Sequence, residues 1–285
     1  MSIKNLPFIL SQADRPEGIY KAMAIFMVIA IVGICIYYVS RYVETLYAKK
    51  HKKPYFVHWY PRLRKLPTRY SKFLSGNQFY TRLHPKQKKY FQHRLVVFLK
   101  ETKFVGREEL VITDEIRMEI AMLVIQMTFG MRHYMLQYLQ TIIVYPSAYF
   151  SILNQTEHHG EFNPMAKALV LAWDHFQKGN LHQDGINLGI HEITHAIHYN
   201  SIKNSHISAE LFYDTFLELE NYLGTPEVRN EIVATNLLRE YAFTDKFEFI
   251  AVLVEVFMES PLQLKQQLPE VYGYVQRMLN FRYFD

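Results

Sequence analysis

Eighteen consecutive residues, Ala22 to Val39 (AMAIFMVIAIVGICIYYV), carry no charge, and this run limits the possible folds more than any other feature of the chain. As a helix it would span about 27 Å, roughly the hydrocarbon thickness of a bilayer. A buried core helix would show polar residues every third or fourth position. A cleaved signal peptide would have a shorter apolar core and a small-x-small cleavage site. Ile34, next to Cys35, is too large for a lipoprotein cleavage box. The run therefore predicts a single transmembrane helix over residues 22–40, after an N-terminal tail of residues 1–21.

The flanking charges orient that helix. Lys4, Arg15 and Lys21 precede it, whereas Arg41, Lys49, Lys50, Lys52, Lys53, Arg62, Arg64 and Lys65 follow. The excess of cations after the span predicts a cytoplasmic C-terminal part. Residues 41–103 hold 17 Lys/Arg against Glu44 and Glu101, in a chain whose net charge is only +5. Next to a membrane span, such a block suits anionic lipid headgroups. Nucleic acid is an unlikely partner, because no DNA- or RNA-binding motif accompanies the charge. Residues 41–74, aromatic, basic and proline-punctuated, read as a juxtamembrane tether that packs onto the domain.

With 285 residues the chain can form one medium-sized domain and an appendage, and a hydrophobic content of 49% argues against disorder. The single cysteine, Cys35, rules out an intramolecular disulfide and a cysteine-rich metal site. HPKQKKYFQHRLVVFLKETKF has the apolar spacing of a helix. VITDEIRMEIAMLVIQMTFGM starts at a capping signal, Thr113 or Asp114, and reads as a buried helix closed by Gly130. TIIVYPSAYF reads as a strand, with Pro146 marking an edge position or the strand's end, and AKALVLAW as a second strand. Three more helical patterns follow residue 200. Few strands and many helices, not alternating, predict a mostly helical α+β fold with a small sheet.

GINLGIHEITHAIHYN, residues 185–200, carries the chemistry. Ile186, Ile190, Ile193 and Ile197 draw one helical stripe, and His191, His195 and His198 draw another. His191 and His195 lie one turn apart, so both imidazoles can converge on one Zn²⁺. Glu192, about 100° further around the helix, falls beside the metal, where it can take a proton from a water. This is the H-E-x-x-H arrangement of metallopeptidases. The competing reading is a solvated helix face with three exposed histidines. Gly185, Gly189 and the tight isoleucine stripe speak against it. His198 is about 10.5 Å along the axis from His191, too far to share an ion. A third ligand must come from another helix.

REYAFTDKFEFIAVLVEVFMESP offers Glu248, Glu255 and Glu259 on a helix capped by Asp245 or Thr244. Carboxylates in so apolar a helix need partners. Glu248 and Glu255 are two turns apart, so only one of them can reach the same ion. Glu248 also suits a capping box. Glu255 also suits a core carboxylate bonded to an arginine or to a ligating histidine. The residues alone leave both assignments open.

These stretches, together with TDEIRMEIAMLVIQMTFGM, IIVYPSAYF and LVLAWDHFQKG, resemble the Mlc titration factor A family of zinc-dependent peptidases, over roughly residues 75–275. The catalytic region of that family is similar to anthrax lethal factor. The family signature Y-A-x-[ST]-[DN]-x-x-E falls on Tyr241 and Glu248. The resemblance thus implies Glu248 as the third zinc ligand and Tyr241 as the donor to the oxyanion. It further implies a zincin-like peptidase domain over residues 75–285, Glu192 as the base, a peptide or protein substrate, and aminopeptidase-type activity. The chain carries His198 where the family tends to have Asp. The family's founding member binds a repressor, so the alternative is a zinc-stabilised binding protein that sequesters a transcriptional regulator at the membrane.

Overall fold

The computed structural model describes residues 17–151, 156–182 and 184–281. Most of the expected N-terminal tail, including Lys4 and Arg15, lies outside the described residues. The chain divides into two units, Met1–Leu46 and Tyr47–Asp285.

The first unit holds most of helix α1 (Glu17–His51), which runs past residues 22–40 at both ends. Every side chain from Gly18 to Ser40 is exposed. The mean hydropathy over its most apolar 18 residues is 2.6. Among the described residues this is the helix long and apolar enough to cross a membrane. An exposed apolar surface of that extent marks a contact with a membrane or another protein.

The second unit is mostly helical. After the last turn of α1 come α2 (Ser71–Gly76), α3 (Gln78–Arg82) and α4 (Pro85–Glu101), then β1 (Lys103–Gly106) and α5 (Asp114–Met127). Five strands follow: β2 (Thr141–Tyr145), β3 (Tyr149–Ser151), β4 (Thr156–His158), β5 (Gly160–Asn163) and β6 (Ala168–Ala172). The chain then continues as α6 (Trp173–Leu181), α7 (Leu188–Lys203), α8 (Ile207–Leu223), α9 (Pro226–Ala234), α10 (Lys246–Glu259), α11 (Pro261–Gln267) and α12 (Pro269–Leu279).

One mixed sheet has the order β1-β2-β6-β5, parallel except for the antiparallel β5–β6 pair. Ile142 and Val144 alternate inward from β2 and are fully buried, the period-2 pattern of a strand with one core face. Pro146 follows β2 directly. Because β2 is interior to the sheet, the proline is tolerated only beyond the strand's end. The single strand expected over TIIVYPSAYF is thus two: β3 pairs with β4 in a separate hairpin.

Local chemistry sets the helix boundaries. Thr113 caps α5 by accepting from Ile116 N. That helix stops at Met127, so Gly130 is not its terminator. A Cβ at Gly130 would lie 2.1 Å from the carbonyl oxygen of Asn280; the glycine lets the C-terminal backbone approach closely. Asn280, left-handed at the end of α12, donates from Nδ2 to Gly130 O.

Arg94 of α4 is fully buried. It donates to Tyr60 Oη (2.6 Å), Thr128 O (2.9 Å), Phe129 O (3.0 Å) and Met131 O (2.8 Å), with the Tyr134 ring 4.3 Å away. Burial lowers its pKa, and Tyr60 opposes that shift. Each of these acceptors, left without a donor, would cost about 1–3 kcal/mol. The arginine therefore ties the Tyr60 segment and the 128–131 turn to α4, and does not contribute to the exposed basic surface of residues 41–103. The segment after α1 is held at a second point: Arg132 stacks on the Phe56 ring at 3.7 Å and donates to Phe56 O. Lys52 pairs with Glu218 of α8.

Candidate metal centre

Helix α7 is central, packed against α5, α6, α8, α10 and β5. Its N-cap is Asn187, whose side chain accepts from Ile190 N at 3.0 Å. Asn187 is itself held from α10, with its N–H donating to Glu255 Oε2 (2.6 Å) and its Nδ2 to Glu259 Oε1 (2.9 Å). Gly185 just ahead has φ +78°, a backbone region that favours glycine. Gly189 meets Leu123 and Phe176 so closely that a Cβ would fall 2.6 Å from each. Ile190, Ile193 and Ile197 are buried. Ile186 precedes the helix and is 57% exposed, so the buried stripe begins one residue set later than its spacing suggested.

The histidine face is not solvated. His191 and Glu192 are 8% and 7% exposed. His198 is buried in an aromatic cage of Phe216, Phe247 and Phe212, ring centroids 4.2, 5.2 and 5.8 Å away. Neither of its nitrogens has a partner. Burial, aided by the His195 and Lys246 charges, lowers its pKa to about 4, so it is a neutral packing residue.

His191, His195 and Glu248 come together. Asp245, the cap of α10, accepts from Phe247 N and Glu248 N, and so sets the turn that carries Glu248. His191 Nε2 lies 3.1 Å from His195 Nε2 and 3.0 Å from Glu248 Oε2; His195 Nε2 lies 3.5 Å from Glu248 Oε1. Ligand bonds of about 2.0–2.1 Å at tetrahedral angles put donor atoms roughly 3.3 Å apart. The spacing fits a four-coordinate ion. Glu248 Oε2, buried and 3.0 Å from an imidazole nitrogen, still makes no well-directed hydrogen bond. A buried carboxylate oxygen beside two imidazole nitrogens is a set of donors that a shared cation would satisfy.

Residues outside the triad complete the centre. Glu255, fully buried, meets His191 Nδ1 at 2.7 Å. Arg239 grips Glu255 with both guanidinium nitrogens, at 2.8 and 3.0 Å. Glu192 Oε2 accepts from Phe162 N of β5 at 2.8 Å. The Tyr241 ring, half-exposed, lies 6.1 Å from that of His191. Arg239 was not singled out in the sequence, where nothing local marks it: its partners Glu255, His191 and Gly185 lie 16, 48 and 54 residues away, with His191 Nδ1 the most distant contact at 3.5 Å. A separate cavity of about 310 Å³ is lined by Phe216, Leu219, Ile232, Phe243 and Phe249, and by none of His191, Glu192, His195, Arg239, Tyr241, Glu248 and Glu255.

A family model described as glucose-regulated metallo-peptidase M90 matches residues 60–280. The chain belongs to that family. The match extends from Tyr60 nearly to the end of the described chain and includes every residue of the centre. It is the same Mlc titration factor A-like family that the motifs resemble. An uncharacterized protein of Synechocystis sp. is 26% identical over 255 residues, covering 79% of this chain and 89% of that protein.

Charge in the M90 centre follows from burial and pairing. Burial lowers the His191 pKa, but Glu248 and Glu255 outweigh it and raise it to about 9. Burial would raise Glu248, yet His191 and His195 hold it well below the usual carboxylate range. Burial raises Glu192, only partly offset by His195, His191 and the Phe162 N–H. Burial, then the Glu248 charge, pushes Tyr241 up to about 12, so its phenol stays a donor at neutral pH. Without a metal, His191 therefore keeps a proton that an incoming cation must displace.

Proposed function

We propose that this M90 member is a zinc-dependent peptidase of zincin-like fold, in which His191, His195 and Glu248 hold the ion. The observation that carries this is the convergence of their three donor atoms at spacings of 3.0–3.5 Å. Two imidazoles and a carboxylate that leave a position open are a donor set for catalytic zinc. When bound, zinc polarises a carbonyl and acidifies water.

The chain's own residues supply the rest. Glu192, its basicity increased by burial, takes the proton of the attacking water and passes it to the leaving amine. The Phe162 N–H fixes one oxygen of that carboxylate, leaving the other for proton transfer. Tyr241 donates to the oxyanion that develops on the scissile carbonyl. Glu255 accepts from His191 Nδ1 and so presents Nε2 to the ion. Aminopeptidase-type cleavage of short peptides is the activity the resemblance adds. Full-length protein in lipid nanodiscs should cleave a short peptide series, lose that activity to a chelator and regain it with zinc. A preparation with stoichiometric zinc that cleaves no peptide in the series would overturn the peptidase reading. The family match favours this reading over a zinc-stabilised protein that sequesters a transcriptional regulator.

The exposed apolar helix and the cations after it support a single-pass anchor over residues 22–40, a basic tether over residues 41–74 lying on anionic lipid, and a cytoplasmic peptidase domain over residues 75–285. The protein is expected in the membrane fraction, with its domain digested by added protease only once the cytoplasmic side is opened. Recovery of full-length protein in the soluble fraction would rule out the anchor.

A further inference from the structure

We infer that Arg239 is a positioning residue for the metal centre, acting through Glu255 on His191. The inference rests on the zinc reading above. A carboxylate as completely buried as Glu255 needs compensation for its charge. It faces three groups that can give it: His191 Nδ1 at 2.7 Å, Asn187 N at 2.6 Å and the fork of Arg239. Only Arg239 is permanently charged.

The guanidinium fixes more than charge. Its two-point grip sets the plane of the carboxylate, and with it the direction in which Glu255 Oε1 accepts from His191. A ring tethered at Nδ1 along one line has its Nε2 aimed along another, toward His195 and Glu248. Nη1 also donates to Gly185 O at 2.9 Å, holding the turn that leads into α7. The guanidinium carbon lies 5.8 Å from the ring of Tyr241, two residues further along the chain. One side chain thus joins the start of α7, the middle of α10 and the tyrosine segment around the centre.

Two roles predict different outcomes. An arginine that only holds the fold together would weaken zinc binding independently of Glu255. An arginine that positions His191 through Glu255 has nothing to act on once that carboxylate is gone. The test is a double-mutant cycle in the full-length protein, with zinc affinity measured by chelator competition and stability by thermal unfolding of the metal-free form. Arg239→Gln should weaken zinc binding roughly 10–100-fold and lower the unfolding temperature, because Glu255 is left buried without its permanent counter-charge. Arg239→Lys, which keeps the charge without the fork, should fall between the two.

In the Glu255→Gln background, Arg239→Gln should weaken zinc binding less than about threefold further, and the double variant should be more stable than Arg239→Gln alone. Zinc losses that multiply in the double variant, or an Arg239→Gln protein that binds zinc within about threefold of the parent, would overturn the inference. A parent protein that takes up no zinc would instead overturn the zinc reading itself.

Discussion

Glu192→Gln is expected to bind zinc as the parent chain does and to lose roughly 10²–10⁴ in kcat, the usual contribution of a general base. The substitution is nearly isosteric. The amide oxygen can still accept from Phe162 N, so the contact between β5 and α7 survives. The site already disfavours a charge at this position by burying it, and a neutral amide there adds no desolvation cost. What is lost is a basic oxygen one residue from His191, on the side of the helix turned toward the metal. Zinc content by mass spectrometry and steady-state kinetics on a short peptide separate the two consequences. If zinc is lost along with turnover, Glu192 is part of what holds the centre together. If turnover persists, the base lies elsewhere.

What the sequence revealed follows the range of the forces involved. The caps at Thr113 and Asp245 are local, each a side-chain oxygen accepting from backbone within three residues, and the sequence narrowed each to two adjacent candidates. The long helices could also be read, because their apolar stripes repeat over several turns. The strands β1, β4 and β5 span three or four residues each. A segment that short has too few positions to express a period, and the partner of β1, strand β2, lies far along the chain. Ile186 shows the same limit from the other side. Its spacing matches the stripe of α7, but Gly185 and Asn187 start the helix later and leave it outside.

The histidines divide along the same line. One-turn spacing predicts that His191 and His195 face one point, a statement about a single helix. The surroundings of His198 depend on Phe212 and Phe216 of α8 and on Phe247 of α10. Helical spacing placed it on a shared face with the other two, but packing encloses it in aromatic rings. The Arg94 cluster is similar. Charge counting assigned this arginine to a lipid-facing surface, while four oxygens, three of them buried carbonyls, supplied by residues 34 to 37 positions away, draw it inside.

Glu248→Ala is expected to empty the zinc site, as His191→Ala and His195→Ala would, because each removes one of three protein ligands. Glu255→Ala should keep the metal with roughly a 10–100-fold loss in affinity. Two turns of helix separate the two glutamates, which forbids their sharing an ion, but they do share a ring. Glu248 Oε2 stands at His191 Nε2 (3.0 Å) and Glu255 Oε1 at His191 Nδ1 (2.7 Å). An imidazole presents its two nitrogens in divergent directions, so one carboxylate can ligate beside it while the other orients it from behind. Glu255 is already satisfied by His191, Asn187 and Arg239. Glu248 Oε2 is buried with the two imidazoles beside it, and a cation between them would stabilise it most. Its truncation removes both the charge and the atom aimed at the ion, whereas truncation of Glu255 leaves all three donors in place. Zinc occupancy of the purified variants after dialysis against a weak chelator decides between them. A Glu255→Ala protein that emerges empty while Glu248→Ala remains full would reverse the assignment.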